Sequence, residues 1–457
     1  MLPSFGVLVV IATNSTCRTH YEAAAMGGQA FASLSPPLPT PRMPPEIFGQ
    51  VLAATHAIMK KYFNHVDSAI EAPGKTTFGD VDVQVLGPLD PTFDSAVTHI
   101  HVVAENIAKA LGAKKWIKEK GQPTINFAIP WPRVGTERTP EEKYIQLDIK
   151  ICHSRKVFQW ELFHAAHGDL WNILGTTIRR FGLTVNDRGM FLRIPDIEMF
   201  DRKKSMIFLT DEPNTILEFL GLDAEKWWKP FPSRMDMFEY AAGCRMFWVK
   251  EVTAEGEAEG DVFLKDGALE GQEGGLEGKK KLKHNDRQRM SKRPIFREWI
   301  DEFIPKCRDD GRLGNTTITR EQIRDDAFTT FRVQEEYERR LQEWKLAKHK
   351  DDLWRDAIKG CVPEDVDPQF RAASIKTLKL IIMEGEAFDG AVPKAAQKDN
   401  QGFYDVEEVR KFVSENWKRA GEIGWARQQV QAMESMKAKA EKKRLEQETK
   451  SKNIGVN

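Results

Sequence analysis

Two short stretches alternate strictly between apolar and polar residues, and they commit the front half of this chain to a sheet with one dry face and one wet face. In Gly79-Asp80-Val81-Asp82-Val83-Gln84-Val85 the side chains two apart share a face, so Val81, Val83 and Val85 point to a core. Asp80, Asp82 and Gln84 then point away from it, with the two aspartate Cα atoms about 7 Å apart. Ile145-Gln146-Leu147-Asp148-Ile149-Lys150-Ile151-Cys152 repeats the design: Ile145, Leu147, Ile149 and Ile151 face inward, and Gln146, Asp148 and Lys150 face outward. Two neighbouring strands of this kind bring three carboxylates together on one side of a sheet.

Such a cluster repels itself, because like charges in a partly dehydrated site raise one another's pKa. A bound cation offsets that repulsion. Oxygen ligands with no His or Cys among them suit Mg²⁺ or Mn²⁺, and paired divalent ions can activate a hydroxyl and stabilise a leaving pyrophosphate.

The residues around the two strands complete a mixed α and β unit. Apolar residues recur at helical spacing from Ile47 to Phe63, and Phe93 to Leu111 reads as a second amphipathic helix. Thr124 to Ile129 is a further strand, and Gly87-Pro88 ends the first aspartate strand. From Val157 to Phe181 the pattern is helical, broken at Gly168-Asp169, where Asp169 is expected to cap the second piece. His167 shares the apolar stripe of Phe163 and Trp171 and reads as a core histidine rather than a metal ligand. Leu183 to Ile194 reads as a hairpin turning at Asn186-Asp187-Arg188-Gly189.

Composition shifts mark the boundaries. Residues 1–45 are small, polar and proline-rich after a short apolar run, and are expected to be an unstructured leader. Residues 46–155 form the head, and 156–250 a mostly helical partner domain with the hairpin. Residues 251–286 pass from an acidic, glycine-rich stretch to a lysine-rich one and read as an unstructured linker. Residues 287–457 read as a helical region, in which Thr319 and Gln322 spell a capping box. Its last helix ends in Lys437 to Arg444, a solvated helix end on this reading.

Lys+Arg and Asp+Glu both number 68, so the net charge is zero and any contact with nucleic acid must rest on local patches. Five scattered cysteines with no CxxC pair offer no zinc framework and fit a reducing compartment. The apolar run Phe5 to Ala12 is far short of a membrane span and lacks a basic flank. The expectation is an intracellular protein, cytoplasmic or nuclear, without a membrane anchor.

Gly74-Lys75-Thr76-Thr77-Phe78-Gly79-Asp80-Val81-Asp82-Val83 resembles the signature strand of the polymerase-β-like nucleotidyltransferase superfamily. There a Gly-Asp-x-Asp strand supplies two metal ligands and a later strand a third aspartate; Asp80, Asp82 and Asp148 match those positions. The resemblance covers 47–152. It implies an α/β (α+β) nucleotidyltransferase-like head, a nucleoside triphosphate partner, Mg²⁺ or Mn²⁺ on the three aspartates, and transfer of a nucleoside monophosphate to a hydroxyl acceptor such as RNA or another polynucleotide. One position departs. Family members carry Gly-Ser at a helix N-terminus ahead of the aspartates, whereas Ala69-Ile70 stands here. On this reading the loop Gly74, Lys75, Thr76, Thr77 with Gly79 supplies amides, hydroxyls and a cation to the phosphates instead. Two alternatives stay open: a catalytically degenerate head acting as a binding or scaffold protein, and a metal-dependent phosphohydrolase using the same carboxylates.

Overall fold

The computed structural model describes residues 28–132, 142–249, 293–312, 314 and 317–454. The linker expected over 251–286, Cys17 and the first 27 residues of the expected leader lie outside these. The described residues divide into two compact units, one ending at Val333 and one running from Gln334 to Asn457. No described helix is long and apolar enough to cross a membrane. The four described cysteines are free thiols.

The first unit is built on helix α1 (Pro45–Met59), strands β1 (Phe63–Asp67) and β2 (Asp80–Pro88), helix α2 (Ile100–Leu111), and strands β3 (Lys115–Ile117), β4 (Thr124–Pro130) and β5 (Tyr144–Cys152). The five strands form one mixed sheet in the order β1-β2-β5-β4-β3, with β2 and β5 parallel and the other neighbours antiparallel. Register sorts the faces. Val81 lies opposite Leu147, which lies opposite Phe127; Val83, Ile149 and Ile125 form the next row. All six are fully buried, and Val51, Met59, Val103 and Ile107 of α1 and α2 close over them in one core. Burying branched side chains of this kind contributes about 1.5–3 kcal/mol each. Their polar neighbours are thereby forced onto the opposite face.

The segment expected to be an unstructured leader is folded from Gly28 onward. Phe31 is fully buried against Ala128 and Tyr144, and Met43 exchanges backbone hydrogen bonds with Phe78 at 2.8 and 2.9 Å. Gly28 packs so closely on Gly79 that a Cβ there would stand 2.4 Å from its carbonyl oxygen. The helix expected over 93–111 begins only at Ile100. Asp94 and Thr98 explain the delay, because their side chains capture local backbone groups: Asp94 accepts from the Ala96 amide and Thr98 donates to the Pro91 carbonyl.

After the sheet come α3 (Arg155–Ala165) and α4 (Leu170–Ile178). Their corner is sharp: His167 and Gly168 both take φ of 59°. His167 is fully buried, its Nε2 2.7 Å from the Trp227 carbonyl, as a core histidine should be. Asp169 stands at the start of α4 without capping it; its carboxylate pairs with Arg293 instead. The hairpin β6 (Leu183–Asn186) and β7 (Gly189–Arg193) continues to β8 (Met206–Thr210) in a second, three-stranded sheet.

Helical residues after Arg293 do not form one region with the C-terminus. The rings of Trp299 and Phe303 pack edge-on and tilted against that of Phe238, with centroids 5.6 and 5.4 Å away, Arg234 reaches Glu298 at 2.8 Å, and Arg320 reaches Glu198 at 2.8 Å. These contacts make the helices up to Phe331 part of the first unit, and the boundary falls after Val333 rather than near residue 287. Thr319 and Gln322 do close a capping box on helix Arg320–Phe331. In the second unit, helix Pro368–Met383 packs on the first part of Val406–Ile454 around Leu378, Ile381, Ile382, Val409 and Val413. Gly421 and Gly424 permit that approach, since a Cβ at either would come within 2.4 Å of Ser374 or Thr377.

Candidate active site on the polar face of the sheet

The outward residues of β2, β5 and β4 form three rows across the sheet. Asp80 lies opposite Gln146, which lies opposite Ala128. Asp82, Asp148 and Asn126 make the middle row, and Gln84, Lys150 and Thr124 the third. Hydrogen-bonded strands run about 4.8 Å apart, so Asp82 and Asp148 are direct neighbours on the floor of a cleft. Its volume is about 320 Å³, and it is walled by Ser68 to Glu71, by Phe48 and Lys75, and by Glu161, Ala165 and Gly168 from α3 and the corner after it.

The segment from Ser68 to Gly79 carries no helix. It is held to the corner by the His167 amide, which donates to the Ile70 carbonyl at 2.6 Å, and to the helix Arg234–Ala242 by Arg234, which donates to the Gly74 carbonyl at 3.0 Å. Gly74 takes φ of +69°, a conformation glycine adopts without steric cost. Lys75 pairs with Glu71 at 2.7 Å and lies 4.5 Å over the Phe78 ring, which stacks on Phe48. Of the loop residues singled out above, Lys75 alone lines the cleft. Thr77 is engaged by Arg42 through its hydroxyl and its carbonyl. Thr76 is exposed, and Gly79 is buried beneath Gly28.

The three aspartates differ in their partners. Asp148 accepts from Asn126 Nδ2 at 2.7 Å and from Gln146 Nε2 at 3.1 Å on each oxygen. Asp80 accepts from the Gly28 amide at 3.2 Å, while Gln146, only 4% exposed, accepts from the Ala30 amide at 2.9 Å. Asp82 keeps solvent access through the cleft mouth, although the walls surround it. Its pKa is pushed up to about 7, first by loss of solvent around the carboxylate and then by Asp80, Asp148 and Glu71, with Lys75 opposing. Asp148 is pushed up to about 6, again chiefly by burial; its bond from Asn126 pulls the other way and Asp80 adds to the rise.

The cleft is short of positive charge. Glu71, Asp82, Asp148 and Glu161 line it against Lys75 and Lys150, and both lysines are already paired, Lys150 with Glu161 at 2.6 Å. The donor set fits a hard divalent cation: carboxylate oxygens, no nitrogen or sulfur ligand, and neutral amides rather than cations orienting Asp80 and Asp148. Among the described residues, no three His, Cys, Asp or Glu side chains are gathered closely enough to hold an ion as they stand. Asp80 is turned to Gly28 and Asp148 to Asn126 and Gln146.

Asn126, Gln146, Glu71 and Glu161 belong to this site and were not singled out as site residues from the sequence. Asn126 was within reach of the same period-two reading, since Thr124, Asn126 and Ala128 alternate with Ile125, Phe127 and Ile129. Glu71, Glu161 and the Gly28 amide come from segments that only the tertiary fold brings here.

No protein-family model and no curated protein matches the sequence. Solved structures do match, among them the crystal structure of Leishmania infantum polymerase beta in a ternary P/T complex. That match has 14% sequence identity and a TM-score of 0.29, covering 42% of this chain and 77% of that one. An overlap so loose carries no argument about chemistry, which rests on the rows of the sheet.

Proposed function

We propose that this cleft is a nucleotidyltransferase centre, in which Asp80, Asp82 and Asp148 hold Mg²⁺ or Mn²⁺ and a nucleoside triphosphate gives its nucleoside monophosphate to a hydroxyl acceptor, RNA or another polynucleotide. The observation that carries the reading is the Asp82–Asp148 pair, set opposite each other in register at the bottom of a cleft whose lysines are both spoken for. A divalent ion bound there supplies charge stabilisation for the α-phosphate and the departing pyrophosphate. Lys75 is the side chain offered to the phosphates, leaving Glu71 to do so, on the loop shaped by Gly74, Thr76, Thr77 and Gly79. Asp148 assists loss of the acceptor's proton as the new O–P bond forms and the bond to the β-phosphate breaks. Positioning between Phe48, Ile70 and the corner after α3 contributes the rest.

A second reading, a non-catalytic binding head, draws on two observations. The Ile70 carbonyl, where the family's phosphate-gripping turn would lie, is taken by His167, and Asp80 and Asp148 are already satisfied by protein donors. Incubation with Mn²⁺, α-phosphate-labelled nucleoside triphosphates and RNA, DNA and protein acceptors separates the readings. Transfer predicts label on an acceptor with release of pyrophosphate. A binding head predicts no label anywhere, and a phosphohydrolase predicts ester cleavage with no adduct.

A further inference from the structure

Gln84 lines the cleft on the same face as Asp82, one row further along β2. It is only 6% exposed, it lines the cleft, and its Oε1 has no hydrogen-bond partner among the described residues. A buried acceptor left unmatched costs about 1–3 kcal/mol. The row it belongs to is neutral overall: Lys150, directly opposite, is neutralised by Glu161, and Thr124 beyond it adds a hydroxyl. A phosphate at this row would meet Glu161 and Asp148, so a neutral group that donates a hydrogen bond is what the row can accept.

We infer that Gln84 is a specificity residue that accepts a hydrogen bond from the ribose 2′-hydroxyl of the bound nucleotide, making the substrate class ribonucleoside rather than deoxyribonucleoside triphosphates. This rests on the nucleotidyltransferase reading and deepens it. Residues two apart on a strand lie about 7 Å apart, so Gln84 stands one sugar's reach from the carboxylate row at which the α-phosphate is proposed to react. A site built around a buried polar group discriminates strongly against a ligand lacking the matching group, because the protein atom is then left unpaired.

The test is affinity in the presence of Mn²⁺ for the four ribonucleoside triphosphates and for their 2′-deoxy and 3′-deoxy forms, in wild type, Gln84→Met and Gln84→Leu. Wild type should bind the 2′-deoxy series about 10- to 100-fold more weakly than the ribonucleotides, and the 3′-deoxy series as tightly as the ribonucleotides. Gln84→Met should bind all three series at the weak level, with a melting temperature no lower than that of wild type, since an unmatched buried acceptor has been removed. Gln84→Leu covers the case in which Met packs poorly. A Gln84 variant that keeps the wild-type discrimination, or a wild type that binds the 2′-deoxy series as tightly as the ribonucleotides, overturns the inference while leaving the nucleotidyltransferase reading in place. A wild type that binds no nucleotide at all overturns both.

Discussion

Replacing Asp148 with alanine should lower turnover by about 10³-fold or more while nucleotide affinity stays within a few-fold of wild type. The asymmetry follows from position. Asp148 sits in the middle row, opposite Asp82, with Asn126 and Gln146 fixing its oxygens. The phosphates are assigned to the loop around Lys75 and the sugar to Gln84. An interaction made chiefly as the O–P bond forms is lost from kcat, not from ground-state binding. Single-turnover kinetics with labelled nucleotide, alongside equilibrium binding of the same nucleotide, measures both quantities on one preparation. Equal losses in affinity and turnover would make Asp148 a general binding residue instead.

The apo protein should lose stability as the pH rises from about 4 to about 7, and Asp82→Asn should remove the part of that loss that Asp82 contributes, leaving that of Asp148. Asp82 is held up to about 7 and Asp148 to about 6 in the folded state. Their unfolded values lie near the ordinary carboxylate range. Between those limits the folded state binds more protons than the unfolded state, so stability falls with rising pH and levels off above the folded values. The two proteins should therefore melt together near pH 4, and the variant should be the more stable near pH 8. Solvent reaches Asp82 through the cleft mouth, which limits the gain to about 1–2 kcal/mol, a few degrees in melting temperature. Thermal unfolding in a metal chelator across this pH range gives the comparison. Parallel curves for the two proteins would show that the fold does not hold the Asp82 carboxyl above the ordinary carboxylate range.

Much of this site was legible because a period of two is unforgiving. Once Val81, Val83 and Val85 and their partners on the second strand are assigned to a core, Asp80, Asp82, Asp148, Gln84 and Lys150 have only one face to occupy. The parallel pairing that sets Asp82 against Asp148 is a property of the sheet order and could not be read from either strand alone. The segment from Gly28 to Pro44 was illegible for a different reason. Its small and proline-rich residues resemble an unstructured tail, and its order depends on one buried ring, Phe31, and on backbone amides meeting Asp80 and Gln146. Asp169 spelled a helix cap, and a distant arginine took its carboxylate. The division after Val333 likewise depends on Trp299 and Phe303 finding Phe238, a contact across the 250–292 stretch that local pattern does not record.

If the middle row of the sheet holds a divalent cation, as proposed, titration of Mn²⁺ into metal-free protein will reveal it. Free Mn²⁺ can be followed by its paramagnetic resonance signal near pH 8, where both carboxylates are ionised. Wild type should bind the ion saturably, and Asp82→Asn combined with Asp148→Asn should weaken binding by about 100-fold or more while the protein stays folded. Mn²⁺ should also raise the melting temperature of the wild type alone, since a ligand bound only to the folded state stabilises it. Equal Mn²⁺ affinity in wild type and double variant would rule out a cation site on these carboxylates, because the rows of the sheet would then carry no metal chemistry.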